Sequence, residues 1–206
     1  MTSHYTNKGT LLIRNSDIRD GFFEFGNNPI YLDEDFANQN KSRKHQVGDV
    51  ITVHTGDIGT SAVITDKEAN SIGFATIVTR PYRSKIVPEY LCCYLNTEKH
   101  KKFALGISTG DGRNNYNLKD YYACIVPVPN LEEQMKISQC IQDLNNLLTL
   151  HQRKCKQTQQ RLERALITKS ISLFSSSCIM CKYVFCVVFM LECPNLRATL
   201  AIETPA

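Results

Sequence analysis

Short β-branched runs separated by turn residues dominate the first two thirds of the chain. Leu11-Leu12-Ile13, Val50-Ile51-Thr52-Val53, Ser61-Ala62-Val63-Ile64 and Ala75-Thr76-Ile77-Val78 read as strands. Gly48-Asp49, Gly56-Asp57, Gly59, Asp66-Lys67 and Pro81 punctuate them. Such closely spaced runs predict a compact β-rich domain rather than alternating β and α units. One helix is predicted inside this region, from Pro88 to Phe103. Pro88 suits its first turn, and Leu91, Tyr94, Leu95 and Phe103 share a face. A further strand is predicted over Tyr122-Ala123-Cys124-Ile125-Val126, running into Pro127-Val128-Pro129.

From residue 131 the period changes. No Gly or Pro occurs between Leu131 and Ser170, and Asn130 followed by Glu132-Glu133 is a helix start with acids at the positive end of the dipole. Beyond Gln134 the positions Ile137, Ile141, Leu144, Leu148, His151, Cys155, Thr158, Leu162 and Ala165 step by alternating threes and fours, a heptad seam. Its first half is strongly apolar; His151, Cys155 and Thr158 dilute the second. A lone amphipathic helix cannot bury its own stripe, so it either packs back on the β-rich domain or meets a partner helix, and its length favours the partner. The predicted class is therefore α+β: a β-rich domain (1–130), a long coiled-coil-forming helix (131–170) and a Cys-rich apolar tail (171–206) expected to be poorly ordered.

Composition narrows the functional classes. The 206 residues are 42% hydrophobic and 21% charged, which argues against disorder throughout. Lys and Arg exceed Asp and Glu by 24 to 20, a net charge of +4 that is compatible with nucleic acid without demanding it. The first eight residues contain no apolar stretch of a secretory leader, so the cytoplasm is the expected compartment and disulfides are not expected. No apolar run reaches the length of a membrane span. Cys178, Cys181, Cys186 and Cys193 offer four thiolates, but apolar flanks replace the turns of a zinc knuckle, so no metal site is expected. Five scattered histidines form no catalytic constellation. Gly56-Asp57-Ile58-Gly59-Thr60 lacks the Gly-Lys-Ser/Thr ending of a phosphate loop; Gly48 and Gly59 are predicted instead to occupy left-handed turns.

The stretch from Ile125 to Ile137, with Pro127-Val128-Pro129-Asn130-Leu131-Glu132-Glu133-Gln134 at its centre, resembles the junction in specificity subunits of type I restriction–modification systems. There a target-recognition domain ends in an apolar-Pro-apolar-Pro stretch and Glu-Gln opens a long helix. Leu12-Ile13-Arg14-Asn15-Ser16-Asp17-Ile18 is similar to the family's early strand, and Gly48-Asp49-Val50-Ile51 with Thr55-Gly56-Asp57-Ile58-Gly59 to its paired glycine turns. The segment from Ser108 to Leu118, then Tyr121, falls in the family's order as well. The resemblance covers about residues 12–168. It implies a non-catalytic protein that reads double-stranded DNA and docks methyltransferase and restriction subunits. S-adenosylmethionine, ATP and Mg are then expected on those partners and no cofactor in this chain. A full subunit has two recognition domains and two long helices. One of each here implies either a half-length subunit, which could pair with a second copy through the helix, or an inactive or scaffolding fragment of a disrupted gene.

DNA reading needs cations for phosphates and forked side chains for base edges. The first candidate is the loop Ser108–Lys119, where Arg113 suits guanine, Asn114, Asn115 or Asn117 suit adenine, and Lys119 adds charge. The second is Asn38–His45, in which Lys41, Arg43, Lys44 and His45 place four potential cations in five residues. Arg80, Arg83 and Lys85 form a third group. The partner-helix candidates are Ile137, Ile141, Leu144, Leu148, Cys155 and Leu162.

Overall fold

The computed structural model of the chain describes residues 2–108 and 115–174, with side chains to Ile167. It divides into two compact units, Met1–Leu144 and Asn145–Ala206. In the first, the strands are β1 (Tyr5–Thr6), β2 (Thr10–Arg14), β3 (Ile18–Arg19), β4 (Phe22–Phe23), β5 (Tyr31–Leu32), β6 (Val50–Val53), β7 (Ser61–Val63), β8 (Ile72–Phe74) and β9 (Thr76–Thr79). The helices are α1 (Glu34–Gln39), α2 (Pro88–Leu95), α3 (Glu98–Ile107), α4 (Leu118–Tyr122) and α5 (Leu131–Phe174), which runs on as the described part of the second unit.

One sheet has the order β1-β5-β2-β8, another the order β7-β6-β9, and β3 pairs with β4 in a hairpin. Among the described residues only the β2–β8 pair is parallel, Leu12 facing Ile72 and Ile13 facing Gly73. All four residues of β6 are buried, as expected of a strand paired on both sides and covered on both faces. Ile13 and Ile18 pack with Ile51, Val53, Ala62 and Ile64 on one side of it. On the other, Val50 meets Leu91, Cys92 and Leu95 of α2. The passage from β8 to β9 turns at Ala75, whose φ of 57° is left-handed. Gly48 and Gly59 take φ of 89° and 86°, as their turns predicted; at Gly59 a Cβ would stand 3.3 Å from the His100 ring.

Two local expectations are corrected. The helix predicted from Pro88 to Phe103 is two helices, because Asn96 leaves the helical path to act as a partner for β7. Its Nδ2 donates to the Ser61 carbonyl at 2.8 Å and its Oδ1 accepts from the Ser61 N–H at 2.9 Å. Thr97 then caps α3, its hydroxyl accepting from the His100 N–H. The strand predicted over Tyr122–Val126 is instead the end of α4 followed by irregular chain. The hydroxyls of Tyr94 and Tyr90 on α2 donate to the carbonyls of Ile125 and Pro127 at 2.9 and 2.8 Å. Tyrosine hydroxyls thus meet acceptors that a neighbouring strand would otherwise supply, and Pro127 and Pro129 have no N–H for a ladder.

Candidate nucleic-acid interface

Arg43 and Lys44 from one basic cluster and Arg80 from another far along the sequence meet at one cleft. The short 3-10 turn Lys41–Arg43 carries the first to the mouth of a cavity of about 210 Å³, and β9 carries Thr76, Val78 and the following Arg80 to it. Arg43, Lys44, His45, Gly73, Thr76 and Arg80 are among its lining residues. The side chains of Arg43 and Lys44 form no ion pair with a described residue. Arg80 does: its Nε and Nη2 donate to the two oxygens of Asp49 at 2.7 and 2.8 Å. Burial on its own would raise the Asp49 carboxyl, but this fork and the Gln46 N–H hold it below the usual carboxylate range. Arg80 remains half exposed while Asp49 is sealed, so the pair fixes the guanidinium at the surface.

His45 departs from its expected place as a solvent-facing cation. It is 2% exposed, its Nδ1 lies 2.8 Å from the Ser71 hydroxyl, and its Nε2 has no partner. Burial, reinforced by Arg80 and Arg43 against the opposing charge of Asp49, pushes its pKa down to about 4. It is a neutral imidazole near pH 7. Arg83 is exposed and donates to the Val47 carbonyl, lying over Gly48 where any Cβ would meet its guanidinium.

Of the loop candidates, Arg113 and Asn114 lie outside the described residues. Asn115 does not offer a free fork: Thr55 donates its hydroxyl to Asn115 Oδ1 at 2.9 Å, and the two residues form a β-bridge. Next to it Tyr116 is wholly buried, its N–H donating to the His54 carbonyl and its hydroxyl 3.2 Å from His100 Nε2. His100 Nδ1 lies 2.6 Å from the Leu95 carbonyl, and burial depresses the imidazole despite that bond. Residues 115 and 116 therefore fasten the end of the loop to the 54–55 turn and the α2–α3 junction. Asn117 and Lys119 are exposed at the start of α4.

The DNA specificity domain of type I restriction–modification systems matches residues 3–160. That span takes in the head and 30 residues of α5. The chain belongs to the type I restriction–modification DNA specificity family. It is 29% identical over 138 residues to the specificity subunit of the type I restriction enzyme EcoBI of Escherichia coli, covering 66% of this chain and 28% of that subunit. Its fold is similar to that of the HsdS subunit from Thermoanaerobacter tengcongensis (TM-score 0.56, 20% identity, 80% of this chain and 44% of that one). It is also similar to a chain from a structural study of complex assembly and conformational transition of the type I R-M system (TM-score 0.59, 21% identity, 80% and 38%). The chain thus spans less than half the length of each.

In this specificity-domain chain the Pro-Pro-Glu-Gln junction has a physical role that its sequence did not disclose. Gln134 is fully buried in the first turn of α5. Its Oε1 accepts from the Val87 N–H at 2.8 Å, and its Nε2 donates to the carbonyls of Lys85 and Pro129 at 2.9 and 2.8 Å. One carboxamide thereby ties the helix start to the entry of α2 and to the proline segment. Asn130 Oδ1 accepts from the Glu133 N–H at 2.9 Å, closing the cap. The seam divides after that. Ile137 and Ile141 are half-buried, whereas Leu144, Leu148, Cys155 and Leu162 are exposed. Among the described residues no helix is long and apolar enough to cross a membrane, and no cluster of three potential metal ligands occurs. The tail cysteines lie outside the described residues.

Proposed function

We propose that the chain is a non-catalytic DNA-recognition subunit whose head reads one half of a bipartite target while α5 docks methyltransferase and restriction subunits. The observation that carries the reading is the convergence of Arg43, Lys44 and Arg80 on one cleft, in a chain whose family match spans both head and helix. Sites for S-adenosylmethionine, ATP and Mg belong in this reading to the partner subunits. In the cytoplasm, two copies pair through antiparallel α5 helices, covering Leu144, Leu148 and Leu162 and presenting two heads to a symmetric target. Phosphates are held by Arg43, Lys44, Arg80, Arg83 and Lys119, and bases are read by Arg113, Asn114 and Asn117.

Binding followed by sequencing of the retained DNA, with the cognate methyltransferase subunit present, tests this. A defined half-site preference is expected, reduced in selectivity by Arg113→Ala. Retention without any preference would reduce the chain to a scaffold.

A further inference from the structure

The cleft contains a group that neither the fold nor general charge attraction explains. His45 Nε2 is a buried polar atom with no hydrogen-bond partner, and such atoms are rare because each forfeits its solvation. The imidazole is held from behind by Ser71, whose hydroxyl lies 2.8 Å from Nδ1. In front of it is Gly73. A Cβ there would stand 3.2 Å from His45 Nε2 and collide with Thr76 Oγ1, so the glycine keeps a side chain out of the space beside these two polar atoms. Thr76 Oγ1 itself has no hydrogen bond to a described residue. Arg43 and Lys44 also line the cleft, and Arg80 adds the guanidinium N–H groups that Asp49 does not engage.

We propose that this cleft is a seat for a single phosphate group of the DNA backbone, with His45 Nε2–H and the Thr76 hydroxyl as donors at its floor and Arg43 and Lys44 as the charges that draw it in. The inference rests on the DNA-recognition reading and adds a defined position to it. The tautomer follows from the ligand: Ser71 donates its hydroxyl to Nδ1, and Nε2 carries the proton towards an oxyanion. A neutral donor suits this floor because a buried imidazolium so close to Arg80 and Arg43 would be costly. The Arg80 guanidinium offsets the charge of Asp49, engaging both of its oxygens. The arrangement can also accept a free phosphate, and the test separates the two sources.

The full chain with nitrogen-15 in its imidazoles is titrated with inorganic phosphate and, separately, with short duplex DNA, following the His45 resonances. Phosphate and duplex are both expected to fix the Nε2–H tautomer, and phosphate at high concentration to displace the duplex signal. Thr76→Val, which keeps the shape of a β-branched strand residue, should weaken the phosphate response about tenfold, the size of one lost charge-assisted hydrogen bond. Arg43→Gln with Lys44→Gln, neither of them buried, should lower the slope of log K against log salt by about one to two. A His45 signal that answers phosphate but not duplex would overturn the DNA source. A signal that answers neither would overturn the seat itself. If the duplex binds with sequence preference while the Thr76→Val and Arg43→Gln/Lys44→Gln variants behave as the parent, the seat fails and the recognition reading survives. If no DNA is retained at all, that reading fails, and the phosphate titration still judges the seat.

Discussion

In the head, Leu12, Ile13, Leu32 and Ile51 are completely sealed from water, whereas Leu144, Leu148, Leu162 and Leu166 of α5 each stand more than half exposed. The same residue types thus hold one region together and stand uncovered along the other. The head's bonds reach across the sequence: Asn96 to Ser61, Gln134 to Val87, Thr55 to Asn115. On the helix beyond Leu144, Gln159 bonds to Glu163 and Thr158 to the Lys154 carbonyl, each within about one turn. Local pairs of that kind contribute only a few tenths of a kcal/mol each. The first region is held by contacts distant in sequence, and the second presents its apolar side chains to the surface.

Substitutions should respect this division. Ile51→Ala removes a fully buried side chain from the middle of β6 and should cost about 2–5 kcal/mol, read as a lowered urea midpoint of the head. An unchanged midpoint would mean that the head is loosely packed. Acid comes next. His45 is neutral when folded with a pKa near 4 against an ordinary 6.5, so the unfolded chain binds the extra proton between those values. Stability is full above about pH 6.5 and falls as the pH drops towards 4, by of order 3 kcal/mol. Asp49, depressed by Arg80, adds loss in the same direction at the lower end. A urea midpoint that stays flat from pH 7 to pH 4.5 would contradict this.

Gln134→Ala strands the Val87 N–H and two carbonyls and should cost about 2 kcal/mol. Hydrogen exchange should rise at Val87 and in the first turn of α5, while amides beyond Leu144 keep their rates. Leu148→Ala should change the head's stability by less than about 0.5 kcal/mol, since it vacates no core. Its effect should appear in sedimentation as weakened self-association or subunit docking. A large fall in head stability would erase the contrast between the regions.

The elements that the sequence announced were those governed by neighbours along the chain. Turns at Gly48 and Gly59, the Pro88 helix start and the uninterrupted helix after Leu131 depend on backbone freedom, missing donors and periodicity, all readable within a few residues. The expected helix from Pro88 split because Asn96 found a strand edge at Ser61, and the expected strand before Pro127 dissolved because two tyrosines took its carbonyls. Asn115 looked like a base-reading fork and is half-buried beneath a bond from Thr55.

By itself, then, the amino-acid order determined a β-rich head, a long helix behind a Pro-Pro-Glu-Gln junction, and where cations are dense. Tertiary structure alone decided which of those cations share a cleft, that His45 lies neutral beneath them and that Gln134 is the clasp of the junction. Charge and period are properties of a segment; burial and partnership are set by residues tens of positions away, brought close only when the core closes.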